Sequence, residues 1–215
     1  MPAKRVNLIA RDALFTVKRD GVVHVIAENY FYKTESYYTI LRHELKGEEV
    51  APGSSAVLDA YVVPICLERA RLAGIPTAEW GISHSYVPCP SIVYGLNYFA
   101  TSSEFFVVKD PGCGRGIVKH VTNKGKYPFC YQNLEEDSMV RTVASVFGRI
   151  EASDEVIAGY AEKIYGAFRI PLLNLVFIEE KGSFSLSSLT PVKYTQLSAG
   201  EKSLLQAYLS SQEFL

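Results

Sequence analysis

Between residues 123 and 132 the sequence reads NKGKYPFCYQ, which sets Lys124, Lys126, Tyr127 and Cys130 close together. Two ammonium groups can neutralise a carboxylate or a phosphate, and a tyrosine ring can stack on a ligand. A cysteine can act as a nucleophile when a neighbouring base lowers its pKa. His120 is the nearest such base upstream, so Cys130 and His120 are the pair to consider for catalysis. The same run also reads as a turn at Lys124-Gly125 followed by a buried strand, YPFCYQ. A cysteine flanked by Phe and Tyr is most often core packing, and the packing reading leads.

Just upstream, PGCGRGI (111–117) gathers Gly112, Gly114 and Gly116 around Arg115. Successive glycines let backbone N–H groups turn inward and cradle an anion. Gly112, Gly114, Arg115, Gly116, Lys124 and Lys126 therefore form a candidate anion-binding set. No Lys-Ser/Thr pair follows the glycines, as a Walker loop needs, and no strand-to-helix context supports a dinucleotide fingerprint. A surface turn is the plainer reading, and residues 111–131 are expected to be loop-like. A third stretch, ENYFYKTESYY (28–38), leaves a strand and enters a helix. Ligands of open α/β sheets bind beyond such strand ends, and helix N-termini attract anions. Glu28, Asn29, Tyr30, Lys33 and Ser36 are the residues expected to line this crevice, against the plainer reading of aromatic packing by Tyr37 and Tyr38 with a solvated Lys33. His43 reads as a solvated helix residue.

The elements that must position these groups follow from pattern. LFTVKRDGVVHVIAE holds two β-rich runs joined at Asp20-Gly21, a hairpin signal because both turn positions need positive φ. Thr34 caps an expected helix in which Tyr37, Tyr38, Leu41 and Leu45 recur at helical spacing, and Gly47 closes it. A short strand in EEVAPG then completes a strand-helix-strand unit with parallel pairing. Residues 56–74 read as a helix that Pro64 kinks or splits and Gly74 ends. Residues 75–135 form an irregular, loop-rich middle with short strands, EFFVVKD among them. MVRTVASVFG is a strand. A helix capped by Ser153 follows, with Val156, Tyr160, Ile164 and Phe168 one turn apart and Ile157, Ala161 and Tyr165 alongside, a stripe that buries against a sheet. PLLNLVFIEE and SFSLSSLTPV form a second hairpin around Lys181-Gly182. Ser198 and Glu201 make a capping box for a last helix. The expected fold is one α/β domain over 1–215: a mixed β-sheet with packed helices, an N-terminal β-hairpin and a C-terminal helix-hairpin-helix.

Composition sets the limits. The chain has 215 residues, 48% apolar and 21% charged, with a net charge of −1, which fits an ordinary globular protein and gives no whole-molecule attraction to nucleic acid. Arg11 and Asp12 interrupt the stretch where a signal peptide would be apolar, so the expected location is cytoplasmic. The cysteines Cys66, Cys89, Cys113 and Cys130 form no Cys-x-x-Cys pair, and no metal is expected.

Two blocks resemble a known family. HVIAENYFYKTESYYTILRHELKGEEVAPGS is similar to the opening of the RimK-like ATP-grasp N-terminal domain, which precedes the ATP-grasp ligase module. The matching positions are Val25 to Glu28, Tyr30 to Tyr32, Tyr37-Tyr38, Gly47 and Pro52. SVFGRIEASDEVIAGYAEKIYGAFRIPLLNLVFIEEKGSFSLSSLTPV is similar to that domain's closing section at Phe147-Gly148, Phe168 and Pro171-Leu172-Leu173. The resemblance covers somewhat under half the chain. It implies a non-catalytic binding or docking module for an amino-acid or peptide-like molecule, with no cofactor of its own. ATP and magnesium would enter only through a separate ATP-grasp module, as a partner ligase or a further domain, because 215 residues leave no room for both lobes of an ATP-grasp fold. Neither a membrane nor a nucleic acid is an expected partner, and a homo-oligomer is compatible with the reading. The alternative is a small stand-alone enzyme that uses the basic, glycine-rich middle with Cys130 and His120.

Overall fold

The computed structural model describes residues 14–96, 104–151 and 154–210, with the backbone of Glu213 and Phe214. The chain, expected as one domain, divides into two compact units. Unit 1 comprises Met1–Leu58, Val143–Asn174 and Pro191–Leu215; unit 2 comprises Asp59–Thr142 and Leu175–Thr190.

β1 (Phe15–Arg19) and β2 (Val22–Ile26) form the expected antiparallel hairpin, turned by Asp20 at φ 50° and Gly21 at φ 84°. α1 (Glu35–Leu45) is capped by Thr34, whose side chain accepts from the Tyr37 N–H. β3 (Val50–Ala51) returns parallel to β2, which completes the strand-helix-strand unit. The buried side of α1 carries Ser36, Tyr37, Thr39 and Ile40, whereas Tyr38 and Leu45 are exposed. Residues 56–74 form two helices, α2 (Ser54–Tyr61) and α3 (Val63–Leu72), with Pro64 in the first turn of the second. Proline has no N–H to donate there and starts a helix more easily than it continues one.

Unit 2 replaces the expected loop-rich middle with regular structure. β4 (Trp80–Ser83), β5 (Ser91–Gly95), β6 (Phe105–Val108) and β7 (Phe129–Asn133) make a four-stranded sheet of order β4-β7-β5-β6, all pairs antiparallel. The glycine-rich segment expected as a loop is α4 (Pro111–Val121). Its three glycines each cost a helix about 1 kcal/mol relative to alanine, and packing outweighs that cost. Asp110 caps the helix through the Cys113 N–H, Pro111 starts it, and Ile117, Val118 and Val121 pack with Val93, Val108 and Phe129. A Cβ at Gly114 would meet Val108 at 3.5 Å, an ordinary van der Waals contact, so this packing does not itself require glycine.

β8 (Met139–Val146), α5 (Glu155–Phe168), β9 (Leu172–Glu180) and β10 (Ser183–Thr190) follow, with Lys181 and Gly182 at positive φ between the last two strands. The sheet order is β10-β9-β8, and the division into units runs through β8 and β9. Asp154 caps α5 by accepting from the N–H groups of Val156 and Ile157; Ser153, expected as the cap, lies outside the described residues. The buried stripe of α5 is Ile157, Ala161, Ile164 and Phe168, while Val156 is 52% exposed. All four belong to the expected stripe, whose remaining members Tyr160 and Tyr165 are half-buried. α6 (Ala199–Ser210) begins with the expected capping box: the Ser198 N–H donates to Glu201 and the Glu201 N–H donates to the Ser198 hydroxyl. The two-residue strand β11 (Glu213–Phe214) pairs with β1. The core of unit 1 gathers Val17, Ile26, Val146, Leu172, Tyr194, Leu205 and Leu209. No helix among the described residues is long and apolar enough to cross a membrane.

Candidate functional site

Unit 1 contains a cavity of about 520 Å³ whose polar lining comes from four different elements. The β1–β2 hairpin supplies Arg19 and Asp20 at its turn and His24 from the middle of β2. The chain leaving β8 supplies Phe147 and Arg149, α5 ends on Tyr165 and Arg169, and α6 adds Leu204, Ala207 and Tyr208. Three guanidinium groups and the carboxylate of Asp20 line it, and Glu49, ion-paired with Arg169, leaves the set one net positive charge. Asp20 sits 3.3 Å from Arg19, and Arg169 reaches outward to Glu49 at 2.9 Å. Arg149 is exposed and makes no ion pair among the described residues.

His24 is the buried polar member of this wall. It is 7% exposed, and its Nδ1 has no hydrogen-bond partner. Burial lowers its pKa, and the positive charges of Arg169 and Arg19 lower it further. The ring is therefore neutral at neutral pH and offers one donor or acceptor nitrogen. Leaving a buried polar atom unpaired costs about 1–3 kcal/mol.

Two backbone outliers hold the other wall. Phe147 and Gly148 have φ of 51° and 76°, and the Phe147 N–H donates to Pro171 O at 2.7 Å. A phenylalanine in the left-handed region is uncommon. The turn lays its ring on Tyr208, centroids 3.6 Å apart at 23°, and against the edge of Tyr165. Arg19 in turn lies 5.5 Å over the Tyr208 ring. Burial raises the pKa of Tyr208 against a hydrogen bond from Arg19, and burial likewise raises that of Tyr165, so both hydroxyls stay protonated. The second outlier is Arg169, which caps α5 at φ 54°, a position where glycine is the usual choice.

The residues that the sequence singled out lie elsewhere. Of the crevice set, the Tyr30 hydroxyl is buried, donating to Val25 O and accepting from the Ala27 N–H, both at 3.0 Å. Ser36 donates to Asn29 O, and Glu28 accepts from the Tyr194 N–H at 2.7 Å. Lys33, at φ 72°, lies over the Tyr32 ring. Asn29 Oδ1 is buried with no hydrogen-bond partner. These residues form a tied turn. In the anion set, Gly112, Gly114, Arg115 and Gly116 belong to α4, whose N-terminal amides are bonded to Asp110 and to the helix. Lys124 and Lys126 are exposed beyond its end, where the Lys124 N–H bonds Lys119 O and the Gly125 N–H bonds Thr122 Oγ1. Cys130 is buried in β7, and burial alone pushes its thiol up to about 12. A nucleophile needs the opposite shift. His120 is 67% exposed on α4, 3.9 Å from Glu104. His43 bonds Glu48 through its Nδ1. No group of three or more His, Cys, Asp or Glu among the described residues could hold a metal ion.

The polar centre of unit 2 is uncharged. Tyr94 donates to Ser187 Oγ at 2.6 Å, Ser187 donates to Gln132 Oε1 at 2.6 Å, and Ser188 donates to the Tyr94 hydroxyl at 3.1 Å. Gln132 Nε2 closes the network on Ser187 O at 2.8 Å.

Arg19, Arg149 and Arg169 had no motif to mark them. The signals in hindsight are an arginine where α5 needs a left-handed cap and the Phe147-Gly148 pair after a strand.

Solved structures with this architecture are ATP-grasp proteins. The chain is similar to D-alanine–D-alanine ligase from Helicobacter pylori, with a TM-score of 0.59 and 16% identity over 81% of this chain and 65% of that one. It is similar to a RimK domain ATP-grasp protein from Sphaerobacter thermophilus DSM 20745, with a TM-score of 0.58 and 13% identity over 80% and 75% of the two chains. D-alanine–D-alanine ligase from Bacillus anthracis, complexed with ATP, gives a TM-score of 0.58 and 12% identity over 80% and 68%. The match thus spans about two thirds to three quarters of the length of these proteins. No family model and no curated protein matches the sequence. The chain resembles the ATP-grasp proteins in fold, and the expectation that 215 residues leave no room for such a fold gives way to this likeness.

Proposed function

We propose that this chain is a non-catalytic binding or docking module of ATP-grasp fold. It is akin to the front domain of RimK-like ligases, and it captures a small anionic molecule of amino-acid or peptide type. The observation that carries the reading is the unit 1 cavity, which Arg19, Arg149 and Arg169 line together with His24. Guanidinium groups match carboxylates in shape and charge. ATP chemistry then belongs to a partner ligase or an adjoining domain in the cytoplasm.

Titration calorimetry with free amino acids and short peptides, beside an assay of magnesium-ATP hydrolysis in their presence, tests this. The expected result is binding of a carboxylate ligand that Arg149→Gln weakens about tenfold or more, the worth of a hydrogen bond to a charged group. Ligand-stimulated ATP hydrolysis by the chain alone refutes the non-catalytic reading.

A further inference from the structure

We infer that the outer face of α1 is a docking surface for a second copy of this chain. The two helices lie antiparallel about a twofold axis, with Glu35 of each copy paired to Arg42 of the other. The inference stands apart from the cavity and from what the cavity binds.

α1 turns Ser36, Tyr37, Thr39 and Ile40 into unit 1. Its other side carries Tyr38, Leu41 and Leu45, at i, i+3 and i+7, which helical spacing sets in one row. Leu45 is 87% exposed and Tyr38 51%, with Leu41 half-buried between them. Single exposed leucines are ordinary on a protein surface. Here the three side chains join Glu35 and Arg42 in lining one shallow hollow.

Charge says what fills that hollow. Glu35 and Arg42 are both exposed, and neither makes an ion pair among the described residues. They lie about 10 Å apart along the helix axis, too far to pair with each other. The face therefore presents an unspent negative charge, an apolar middle and an unspent positive charge. That pattern is its own complement when the second helix runs the other way. A twofold interface sets residue i against j and j against i. Setting Glu35 against Arg42 puts the axis level with the Tyr38-Thr39 step. The Tyr38 rings of the two copies then meet beside the axis, Leu41 flanks them, and Leu45 reaches the start of the other copy's helix. The outer face of α3 is the contrast. Leu72 there is 86% exposed, but Arg69 and Arg71 are already paired with Asp59 and Glu68, so no charge is left to select an occupant.

Area sets the strength. A face one short helix long buries less than the roughly 800 Å² per partner of a standard interface, so the dimer is weak, with a dissociation constant between about 1 μM and 1 mM.

The test is sedimentation equilibrium on the full chain up to about 1 mM. Expected is a reversible monomer–dimer equilibrium. Glu35→Arg and Arg42→Glu, each alone, set like charges together twice per dimer and should weaken it about tenfold or more. Mixed in equal amounts, the two variants should associate nearly as tightly as the native chain, because unlike charges then face each other at both ends. Leu45→Ser should weaken the dimer about tenfold, and Leu72→Ser on α3 should leave it unchanged. All four positions are exposed, and melting midpoints of the dilute variants check that each folds. A chain that stays monomeric up to about 1 mM overturns the inference and leaves the face to a different protein. A dimer that neither charge variant weakens uses another surface and overturns it as well. Charge variants that dissociate the dimer but do not recombine on mixing refute the pairing of Glu35 with Arg42. Equal weakening by the two leucine variants marks general apolar association and also overturns the inference. Carboxylate binding in the cavity is measured separately, so its failure leaves this inference standing.

Discussion

Replacing Arg169 by glycine and, separately, by alanine separates what this residue costs the fold from what it does in the cavity. Arg169 caps α5 at φ 54°, ψ 25°, with its N–H bonded to Tyr165 O at 2.7 Å. Holding a residue with a Cβ in that region costs roughly 1–2 kcal/mol, which glycine escapes. Glycine gives back about 0.4–1 kcal/mol by adding freedom to the unfolded chain. Both variants lose the ion pair to Glu49, whose partners are 43% and 65% exposed; such a pair is worth about 0–1 kcal/mol. That loss is common to the two and cancels between them. Arg169→Gly should therefore be more stable than Arg169→Ala by about 1 kcal/mol, or roughly 2–4 °C in midpoint for a protein of this size. Urea melts with equal slopes give the difference directly. Both variants lack the guanidinium, so both should bind a carboxylate ligand equally weakly. An alanine variant as stable as the glycine variant refutes the reasoning, since the cap would then carry no strain for function to justify.

Gly148→Ala should destabilise by about 2–4 kcal/mol from left-handed strain and overpacking, because its Cβ would sit 2.7 Å from the Cβ of Tyr165; a melting midpoint within a degree or so of the native protein's contradicts this. Tyr94→Phe removes the donor to Ser187 and the acceptor for Ser188, and should cost about 1–3 kcal/mol in denaturant melts. The folded pKa of His24 lies below the ordinary 6.5, so the unfolded chain takes up the proton first. The stability it contributes is complete above pH 6.5, declines as pH falls from there toward the folded pKa, and changes no further below it; His24→Asn should flatten that part of a midpoint-against-pH curve. Alkylation of the native protein at neutral pH should reach exposed Cys113 well before Cys66 and Cys130, both buried with thiols pushed up to about 12; peptide mapping showing Cys130 modified first contradicts the packing assignment.

Local signals carried much of the architecture. Asp20-Gly21 and Lys181-Gly182 place two hairpins because a tight turn needs positive φ, and both pairs adopt it. Thr34, Ser198-Glu201 and Pro64 mark helix starts because each answers a backbone hydrogen-bond problem within one turn. α4 was not legible in this way. Three glycines in PGCGRGI read as a loop, and only Val93, Val108 and Phe129 from three separate strands make its apolar side worth folding. The candidate site was less legible still. Arg19, His24, Arg149, Arg169 and Tyr208 span almost the whole of unit 1 in sequence and share no motif.

By itself, then, the sequence determined the short-range features: turns, caps, breaks and the periodicity that assigns strand or helix. These depend on neighbours a few residues away, and the chain encodes them locally. Tertiary structure decided whether a weak helix such as α4 forms, that Glu28 is tied to the backbone of Tyr194, and which charged groups converge on one cavity. The cavity and the bond of Glu28 with Tyr194 join residues more than a hundred positions apart, and no local pattern specifies where those partners will be.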